Sequence, residues 1–405
     1  MSAVAESLKV LSDRINALEE SATIGMAKKA RELSAQGVSV VNLSFGEPDF
    51  QTPQHIKDAA KKAIDDGKTF YTPVAGIPDL KNAVVAKLKR DNGLEYKPEN
   101  IVVSTGAKQS IANALLCLIN PGDEVIIYSP YWVSYSELVK LAEGVPVLIE
   151  GSIENNFKAS VEQLRAAITP RTKVVMFSSP CNPTGSVFSE KELKEIADEL
   201  VKHDNIYALA DEIYEFINFG EKHVSIASFA GMQERTVLVN GVSKGYAMTG
   251  WRIGYMAAPK WLADACDKLQ GQVTSATCSI AQWAAVAAIS GTMDTTNEMN
   301  KAFLRRRDLV FGLLKDIPGV KTNLPMGAFY FFPDITAYLG KTTAEGVKIK
   351  EAMDLCLYIL SEAHVSTVPG DAFGVPGYIR ISFAASDESL IKAMTNIKAA
   401  LAKLK

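Results

Sequence analysis

The sequence lacks the features that mark membrane, secreted and nucleic-acid-binding proteins. No apolar run approaches the ~18 residues that a bilayer-spanning helix needs. The N-terminal stretch MSAVAESLKVLSDRINALEES has no basic start followed by an apolar block, so no secretory signal peptide is expected. The formal net charge is only −3, and the chain therefore has no basic excess of the kind that nucleic-acid surfaces require. Neither a membrane nor a nucleic acid is expected as a partner.

Cysteine and histidine are also too sparse and too scattered to form a framework. The five cysteines are odd in number and show no CxxC spacing, which favours reduced thiols and a cytoplasmic location over disulfides. The four histidines show no metal-ligand spacing, so a metal enzyme is not expected. The GxxxxGK[ST] loop of P-loop proteins and the GxGxxG fingerprint of nicotinamide-binding domains are both missing.

What the sequence does contain is a regular alternation of apolar runs and helical stretches. The 405 residues are 47% apolar and 22% charged, as in an ordinary globular protein. Between residues 100 and 259 the runs typical of strands are IVVST, DEVIIYS, VPVLIEG, TKVVMFSS, IYALADE, TVLVNGVSK and RIGYMAAP. Several are almost continuously apolar, as in strands covered on both faces. The pattern predicts an α/β fold with a mainly parallel seven-stranded sheet between helices.

The two ends of the chain predict a second, smaller unit. GAFYFFPDI, HVSTVPG and YIRISFAAS are short strand-like pieces, and DESLIKAMTNIKAALAKLK has the pattern of an amphipathic helix. We expect residues 1–47 and 291–405 to form a small α+β domain, and residues 48–290 to form the large domain.

Polar residues follow the predicted strands at the edge where parallel sheets bind ligands. Gly106 and Ala107 open a helix directly after a strand. Phosphate-binding turns have this pattern, and so does an ordinary tight turn. Asp211 ends an apolar strand, either as the N-cap of a helix or as a buried carboxylate that needs a cationic partner.

Further side chains at this edge complete a recognisable set. Trp132 is suited to stacking on a flat ring or to core packing, and the loop PCNPTG fixes the orientation of Asn182. Ser243, Lys244 and Arg252 follow a later strand. A lysine that can form an imine, an acidic partner for a ring nitrogen and phosphate ligands are what pyridoxal 5′-phosphate requires.

The motifs that carry these residues resemble a known family. They are LSFGEPDFQTP, YTPVAGIPDLKNAV, PYWVSY, NPTG, DEIY, SKGYAMTGWRIGY, VPGDAFG and IRISFA, in this order along nearly the whole chain. The sequence is similar to the class I aminotransferases of the pyridoxal-phosphate fold type I superfamily. It most resembles the subgroup of bacterial aspartate aminotransferases that also contains the aspartate/prephenate enzymes.

The resemblance implies roles around the cofactor ring. Lys244 would form the Schiff base with the cofactor and transfer protons, and Asp211 would pair with the pyridinium nitrogen. Tyr214 and Asn182 would hydrogen-bond the 3′-oxygen of the ring, and Trp132 would stack on it. Lys244 must be uncharged to react, which enclosure and nearby positive charge favour.

The resemblance also implies a phosphate site shared between two subunits. Its residues are Gly106, Ala107, Lys108 through its backbone, Ser243 and Arg252. Tyr71 would reach the phosphate of the other subunit's cofactor, because these enzymes are homodimers with shared active sites. Many relatives carry a phosphate-binding serine three residues before the lysine, where this chain has Gly241.

For the substrate, the resemblance implies that Arg380 binds the α-carboxylate, since a guanidinium fork matches a carboxylate bidentately. Lys108 and Thr23 stand where the subgroup binds the distal carboxylate of aspartate or glutamate. The expected substrate-binding set is Gly46 through its backbone, Trp132, Asn182, Arg380, Lys108 and Thr23.

The expected reaction is transamination between L-aspartate and 2-oxoglutarate by a ping-pong mechanism. Prephenate-active relatives tend to carry a lysine four residues before the threonine, where this chain has Glu19, and a carboxylate there would repel a second substrate carboxylate. Phe70, Tyr330 and Phe332 leave an aromatic or alanine preference open. The sequence is also compatible with a carbon–sulfur β-lyase on the same fold and with a non-catalytic binding protein.

Overall fold

The computed structural model describes residues 10–220 and 222–405. In chain order its strands are β1 (Val41–Asn42), β2 (Ile101–Ser104), β3 (Glu124–Ser129), β4 (Val145–Glu150), β5 (Thr172–Ser178), β6 (Tyr207–Asp211), β7 (Thr236–Gly241), β8 (Gly254–Ala257), β9 (Tyr330–Phe331), β10 (Val365–Ser366), β11 (Val368–Pro369) and β12 (Ile379–Ser382). Its α-helices are α1 (Asp13–Asn16), α2 (Ala22–Ala35), α3 (Gln54–Asp65), α4 (Pro78–Asn92), α5 (Ala107–Leu118), α6 (Ser134–Leu141), α7 (Val161–Ala167), α8 (Glu190–Leu200), α9 (Lys260–Val273), α10 (Ser279–Ser290), α11 (Asp294–Lys315), α12 (Ala352–Ala363) and α13 (Asp387–Leu401). Among these residues, no helix is both long and apolar enough to cross a membrane.

The predicted α/β sheet is confirmed. Each of the seven apolar runs forms one strand, and the strand order is β2-β8-β7-β6-β5-β3-β4. Neighbouring strands are parallel except around β8, which is antiparallel to both β2 and β7. Because most strands run the same way, their carboxyl ends meet at one edge.

Helices cover both faces of this sheet, which explains why its strands are almost continuously apolar. Within β5, Val174 and Met176 pack on the face covered by α5 and α9, and Val175 and Phe177 pack on the face covered by α8. Successive side chains of a strand point to opposite faces, so both sets are buried.

The two chain ends pack together in a separate apolar cluster. Parallel pairing joins Val41 of β1 to Val365 of β10, and a second small sheet has the order β11-β12-β9. The cluster takes in Met26 of α2 with residues of α11, α12 and α13. These contacts support the proposed division at residues 47/48 and 290/291, which stays a prediction.

Candidate active site

A cavity of about 320 Å³ lies at the carboxyl edge of the large sheet. Residues of both chain ends and of the large sheet line it. The predicted site residues along its wall are Thr23, Gly46, Ala107, Lys108, Trp132, Asn182, Asp211, Tyr214, Ser243, Lys244, Arg252 and Arg380. Gly106 and Tyr71 are not among the lining residues.

Lys244 is three residues beyond the end of β7, and its side chain is partly buried in the cavity wall. Its Nζ donates a hydrogen bond to the Gly46 carbonyl and lies 5.7 Å from the centre of the Tyr214 ring. The pKa of Lys244 is lowered to about 8, mainly by burial and with help from the Arg380 and Arg252 cations, while Glu47 and Asp211 oppose the shift. A substantial uncharged fraction is therefore available near neutral pH, as a nucleophilic amine requires.

Asp211 is a buried carboxylate at the end of β6, with 4% of its surface exposed. Tyr135 Oη donates to Oδ2 at 2.7 Å, and the Ile213 amide donates to Oδ1 at 3.2 Å. Residues 213–216 form turns, so Asp211 does not cap a regular helix. Burial raises the pKa of Asp211 to about 6, and the Tyr135 hydrogen bond opposes that rise. Such a carboxylate fits a cationic partner like a protonated ring nitrogen.

Replacing Asp211 by asparagine in the cofactor-free protein is expected to flatten the stability profile between about pH 4 and pH 6. The folded protein holds the Asp211 proton up to about pH 6, above the ordinary pKa of 3.8. The unfolded chain therefore binds fewer protons in this window, and wild-type stability falls as pH rises. The difference reaches at most about 3 kcal/mol. Urea unfolding of wild type and Asp211→Asn at several pH values measures it.

The control for this prediction is Asp387→Asn, because the Arg305 ion pair lowers the pKa of Asp387. That replacement should leave the fall in stability between about pH 4 and pH 6 in place, since the contribution of Asp387 is present above the unfolded pKa of 3.8 and is lost as pH falls through its lowered folded pKa. Parallel profiles for wild type and Asp211→Asn would contradict the raised pKa.

An anion site is built around the first turn of α5. Gly106 precedes this helix with a φ of +83°, and a Cβ there would collide with the Arg252 guanidinium. Arg252 Nη1 donates to the Thr249 carbonyl at 2.8 Å. Among the described residues, neither Arg252 nor Lys108 forms an ion pair with a carboxylate. A helix N-terminus beside the Arg252 cation favours a bound phosphate, which an ordinary turn would not explain. The Lys108 side chain is left over for a second anion in the same cavity.

Ser243, rather than residue 241, reaches the cavity. Gly241 pairs with Gly254 across β7 and β8. A Cβ on Gly241 would lie 2.8 Å from the Ile253 carbonyl oxygen, so the backbone leaves no room for a serine side chain. The missing serine therefore follows from a close approach of two strands.

Trp132 lines the cavity, and its ring is held edge-on against Tyr135 at 5.7 Å and 89°. The Lys108 ammonium lies 4.8 Å from the centre of the Trp132 ring. Burial lowers the pKa of Lys108, and the Arg252 cation lowers it further. The Lys108 ammonium thus lies over the Trp132 ring, which is expected to stack on the cofactor.

Arg380 is a buried arginine on β12, with 2% of its surface exposed. Its Nη1 donates to Asn182 Oδ1 at 2.9 Å, and its Nη2 donates to the Ser44 carbonyl at 2.6 Å. Within residues 10–220 and 222–405 it has no carboxylate partner, and its Nε is buried without a hydrogen bond. Burial lowers the pKa of Arg380. A buried guanidinium that has a free N–H group and no acidic partner in the described part of the chain is suited to binding a substrate carboxylate.

Thr23 at the start of α2 reaches the same cavity with a buried Oγ1 that has no protein partner. Glu19 lies outside the lining and is exposed, and its backbone amide donates to Glu137 Oε2 at 2.8 Å. The structure therefore brings Thr23 to the site and leaves Glu19 on the surface nearby.

The three aromatic residues that left the amino-acid preference open lie in different parts of the structure. Tyr330 lines the cavity. Phe332 is buried elsewhere, stacked on Tyr378 at 5.1 Å. Phe70 and Tyr71 are 82% and 100% exposed and lie outside the cavity of this chain.

Sequence reasoning missed two functional contacts. Tyr135 falls within the PYWVSY motif, but its bond to Asp211 joins positions 76 residues apart. Tyr330 bonds Tyr214 at 2.7 Å over 116 residues. No local pattern indicates such pairs, because they form only when segments from distant parts of the chain meet.

One cluster outside the cavity has metal-ligand chemistry. Carboxylate and imidazole atoms of Glu212, Glu215 and His223 lie within 4.8 Å of one another. Lys87 forms a buried ion pair with Glu215, and Ser225 Oγ donates to Glu212 at 2.6 Å. The protein itself therefore supplies cationic and hydrogen-bonding partners to these carboxylates.

The residues of the cavity fit pyridoxal phosphate. In the part of the chain that the structure describes, they offer a lysine with a lowered pKa, a buried carboxylate with no cationic side chain bonded to it, and Arg252 beside the start of α5 with no carboxylate partner. Each of these groups lacks the partner that the cofactor would provide.

Comparisons with known proteins agree with this geometry. Residues 38–397 match the family described as aminotransferase class I and II. The aspartate/prephenate aminotransferase of Cereibacter sphaeroides is 47% identical over 396 residues, which cover 97% of this chain and 99% of that protein. The crystal structure of aspartate aminotransferase from Rhizobium meliloti superposes with a TM-score of 0.94 at 44% identity, covering 98% and 99% of the two chains. The Thermus thermophilus aspartate aminotransferase with maleate gives a TM-score of 0.91 at 41% identity, covering 96% and 99%.

Proposed function

The chain belongs to the class I and II aminotransferases, a pyridoxal-phosphate family, and we propose that it transfers the amino group of L-aspartate to 2-oxoglutarate. The observation that carries the proposal is that Arg380 and Lys108 line one cavity and that neither pairs with a carboxylate of residues 10–220 and 222–405. Aspartate, glutamate and their 2-oxo acids each carry two carboxylates. Two cationic groups in one enclosed site favour such substrates over amino acids with apolar side chains.

Prephenate is the second candidate substrate, because the Cereibacter sphaeroides relative is named for both activities. We place aspartate first because Glu19 stands where prephenate-active relatives tend to carry a lysine, and a carboxylate at that position disfavours a second carboxylate on the substrate. Assays with prephenate as the amino acceptor measure the preference directly.

In this proposal the cofactor, when bound, acts as the electron sink for the carbanion that forms at the substrate Cα. Lys244 Nζ, freed when the substrate amine takes its place on the cofactor, would remove the Cα proton and deliver it to the cofactor carbon that keeps the transferred amino group. The Asp211 carboxylate holds a proton on the ring nitrogen, and Arg380 fixes the α-carboxylate so that the Cα–H bond stays within reach of Lys244. The Tyr214 hydroxyl and the Asn182 amide orient the ring.

The test is the absorbance spectrum of the purified holoenzyme. Adding L-aspartate without a 2-oxo acid should convert the visible band to a near-ultraviolet band, and 2-oxoglutarate should restore it. A band that ignores aspartate but responds to alanine or an aromatic amino acid would overturn the proposed substrate. Pyruvate release from a cysteine-type substrate without any 2-oxo acid would indicate a β-lyase instead.

Replacing Lys108 by methionine should lower kcat/KM for aspartate by about 100-fold, because a desolvated partner of a carboxylate is lost. Alanine turnover should change by less than about threefold, since alanine has no distal carboxylate to bind. Steady-state kinetics with aspartate and with alanine give the two ratios of variant to wild-type kcat/KM.

The matched control is Lys68→Met. Lys68 also lies over an indole ring, 5.1 Å from the centre of Trp283, but outside this cavity. Lys68→Met should leave kcat/KM for aspartate and for alanine close to the wild-type values. Equal losses for aspartate and alanine in Lys108→Met would contradict a role in substrate choice.

We propose a homodimer in which Tyr71 completes the partner's site. The exposed aromatic side chains of Phe70 and Tyr71 support this, because a large exposed aromatic surface marks an interface. The free cysteines support a reducing, cytoplasmic location.

Mixing Lys244→Ala and Tyr71→Ala chains, after subunit exchange, is expected to give more activity than the mean of the two variants. One site of each mixed dimer would then hold both native residues. Activity equal to the mean, or a monomer by analytical ultracentrifugation, would contradict shared sites.

A further inference from the structure

Tyr330 is a fully buried tyrosine that nevertheless lines the cavity. It lies on β9 and pairs with Ser382 of β12 in antiparallel register. Arg380 is on the same strand β12, two residues before Ser382. The register therefore places the Tyr330 ring beside Arg380, which is proposed to bind the substrate carboxylate.

The aromatic ring of Tyr330 stabilises the positive charge of Arg380 through a cation–π contact. The guanidinium carbon lies 4.5 Å from the centre of the Tyr330 ring and 5.0 Å from that of Phe373. Since Arg380 is buried and has no acidic partner in the described part of the chain, these two ring faces provide the nearby negative electrostatic potential. They also restrict where the guanidinium can lie, so the fork is held in place before substrate arrives.

The hydroxyl of Tyr330 has a second, separate contact. It lies 2.7 Å from the Tyr214 hydroxyl, and for the described residues this is the hydrogen bond that each of these two groups makes. One proton lies between the two oxygens, and the other remains free to be donated into the cavity. The Arg380 guanidinium lies directly over the Tyr330 ring, and a cation at that position makes a phenol hydroxyl a stronger donor, so we assign the shared proton to Tyr330. Tyr214 then keeps its own proton for the cavity.

Gly46 shows how closely this hydroxyl is fitted. A Cβ at residue 46 would collide with Tyr330 Oη. The Gly46 carbonyl also accepts the hydrogen bond from Lys244. The Tyr330 hydroxyl thus occupies the space of a side chain beside the backbone that holds Lys244.

We propose that Tyr330 is a positioning residue with two separable actions: its ring holds Arg380 for the substrate carboxylate, and its hydroxyl directs the Tyr214 proton toward the cofactor oxygen. The inference rests on the proposed function, because it assumes that a carboxylate and the cofactor enter this cavity. It concerns residues from different parts of the chain, Tyr330 on β9 and Tyr214 after β6.

The experiment compares holoenzymes of wild type, Tyr330→Phe and Tyr330→Leu. Maleate, a dicarboxylate without an amino group, is titrated while the visible absorbance of the cofactor is followed, and the pH midpoint of that absorbance is measured without maleate. Tyr330→Phe keeps the ring, so the maleate Kd should stay within about twofold, while Tyr330→Leu should raise it about tenfold. Tyr330→Phe should raise the pH midpoint by about half a unit. Without the Tyr330 hydroxyl, Tyr214 is a weaker hydrogen-bond donor and draws less electron density from the cofactor, so the cofactor holds its own titrating proton more strongly.

Phe331→Leu is the matched control, since Phe331 is the next residue of β9, equally buried, and packs on Phe311 and Phe383 outside the cavity. It should lower Tm as Tyr330→Leu does, with the Kd and the pH midpoint unchanged. A Tyr330→Phe enzyme with the wild-type midpoint, or a Tyr330→Leu enzyme with the wild-type Kd, would overturn the corresponding action. If wild type itself showed no cofactor band or no response to maleate, the proposed function would fail first, and that result is distinguishable from the other two.

Discussion

Replacing Lys244 by alanine is expected to lower transamination by on the order of 10⁵-fold or more, because one amine both binds the cofactor covalently and moves the Cα proton. The loss should appear in kcat for every amino acid tested. Circular dichroism and urea unfolding should show an intact fold. At pH 7 the cofactor-free variant should be no less stable than wild type, because burial lowers the pKa of Lys244 to about 8 and the charged form is costly to bury.

Lys244→Arg is the informative companion variant. It keeps a cation near the Gly46 carbonyl, to which Lys244 donates, but a guanidinium stays charged and cannot act as the amine. It should be as inactive as Lys244→Ala. Substantial activity in either variant would contradict the mechanism, whereas unfolding of both would be seen in the spectra before any kinetic comparison.

Replacing Arg380 by alanine is expected to lower kcat/KM by about 10³-fold for every amino-acid substrate, since removal of one member of a buried, hydrogen-bonded charge pair costs several kcal/mol. The effect should be independent of the substrate side chain, unlike that of Lys108→Met. Arg380→Lys should recover only part of the loss, because an ammonium lacks the planar fork that matches a carboxylate. Kinetics with aspartate and alanine separate the two arginine variants from the lysine variant.

Arg306 offers a matched control for Arg380. It is also a buried arginine over an aromatic ring, 5.0 Å from the centre of Phe50, but Asp49 already pairs with it at 2.7 and 2.9 Å. Arg306→Lys should lower stability and leave the substrate kinetics within about threefold of wild type. If Arg380→Ala affected aspartate alone, the assignment of Arg380 to the α-carboxylate would be wrong.

The sequence by itself determined the elements of the large sheet and most of the wall of the cavity. Continuous apolar runs predicted the seven strands, because strands covered on both faces leave few polar positions. Residues at or just beyond the carboxyl end of a strand, such as Asp211 and Lys244, line the cavity, since the carboxyl ends of parallel strands share one edge.

Only the tertiary structure decided which neighbours the charged groups of that cavity have, and which of these groups have no partner of opposite charge among the described residues. Arg380 meets the Ser44 carbonyl across 336 positions and Asn182 across 198. The positions of Tyr135 beside Asp211 and of Tyr330 between Arg380 and Tyr214 depend on the strand order and on the pairing of β9 with β12. Local sequence patterns indicate whether a residue is buried and in which type of element. Charge compensation depends on distances between segments far apart in the chain, and these distances are set when the two chain ends pack against the large sheet.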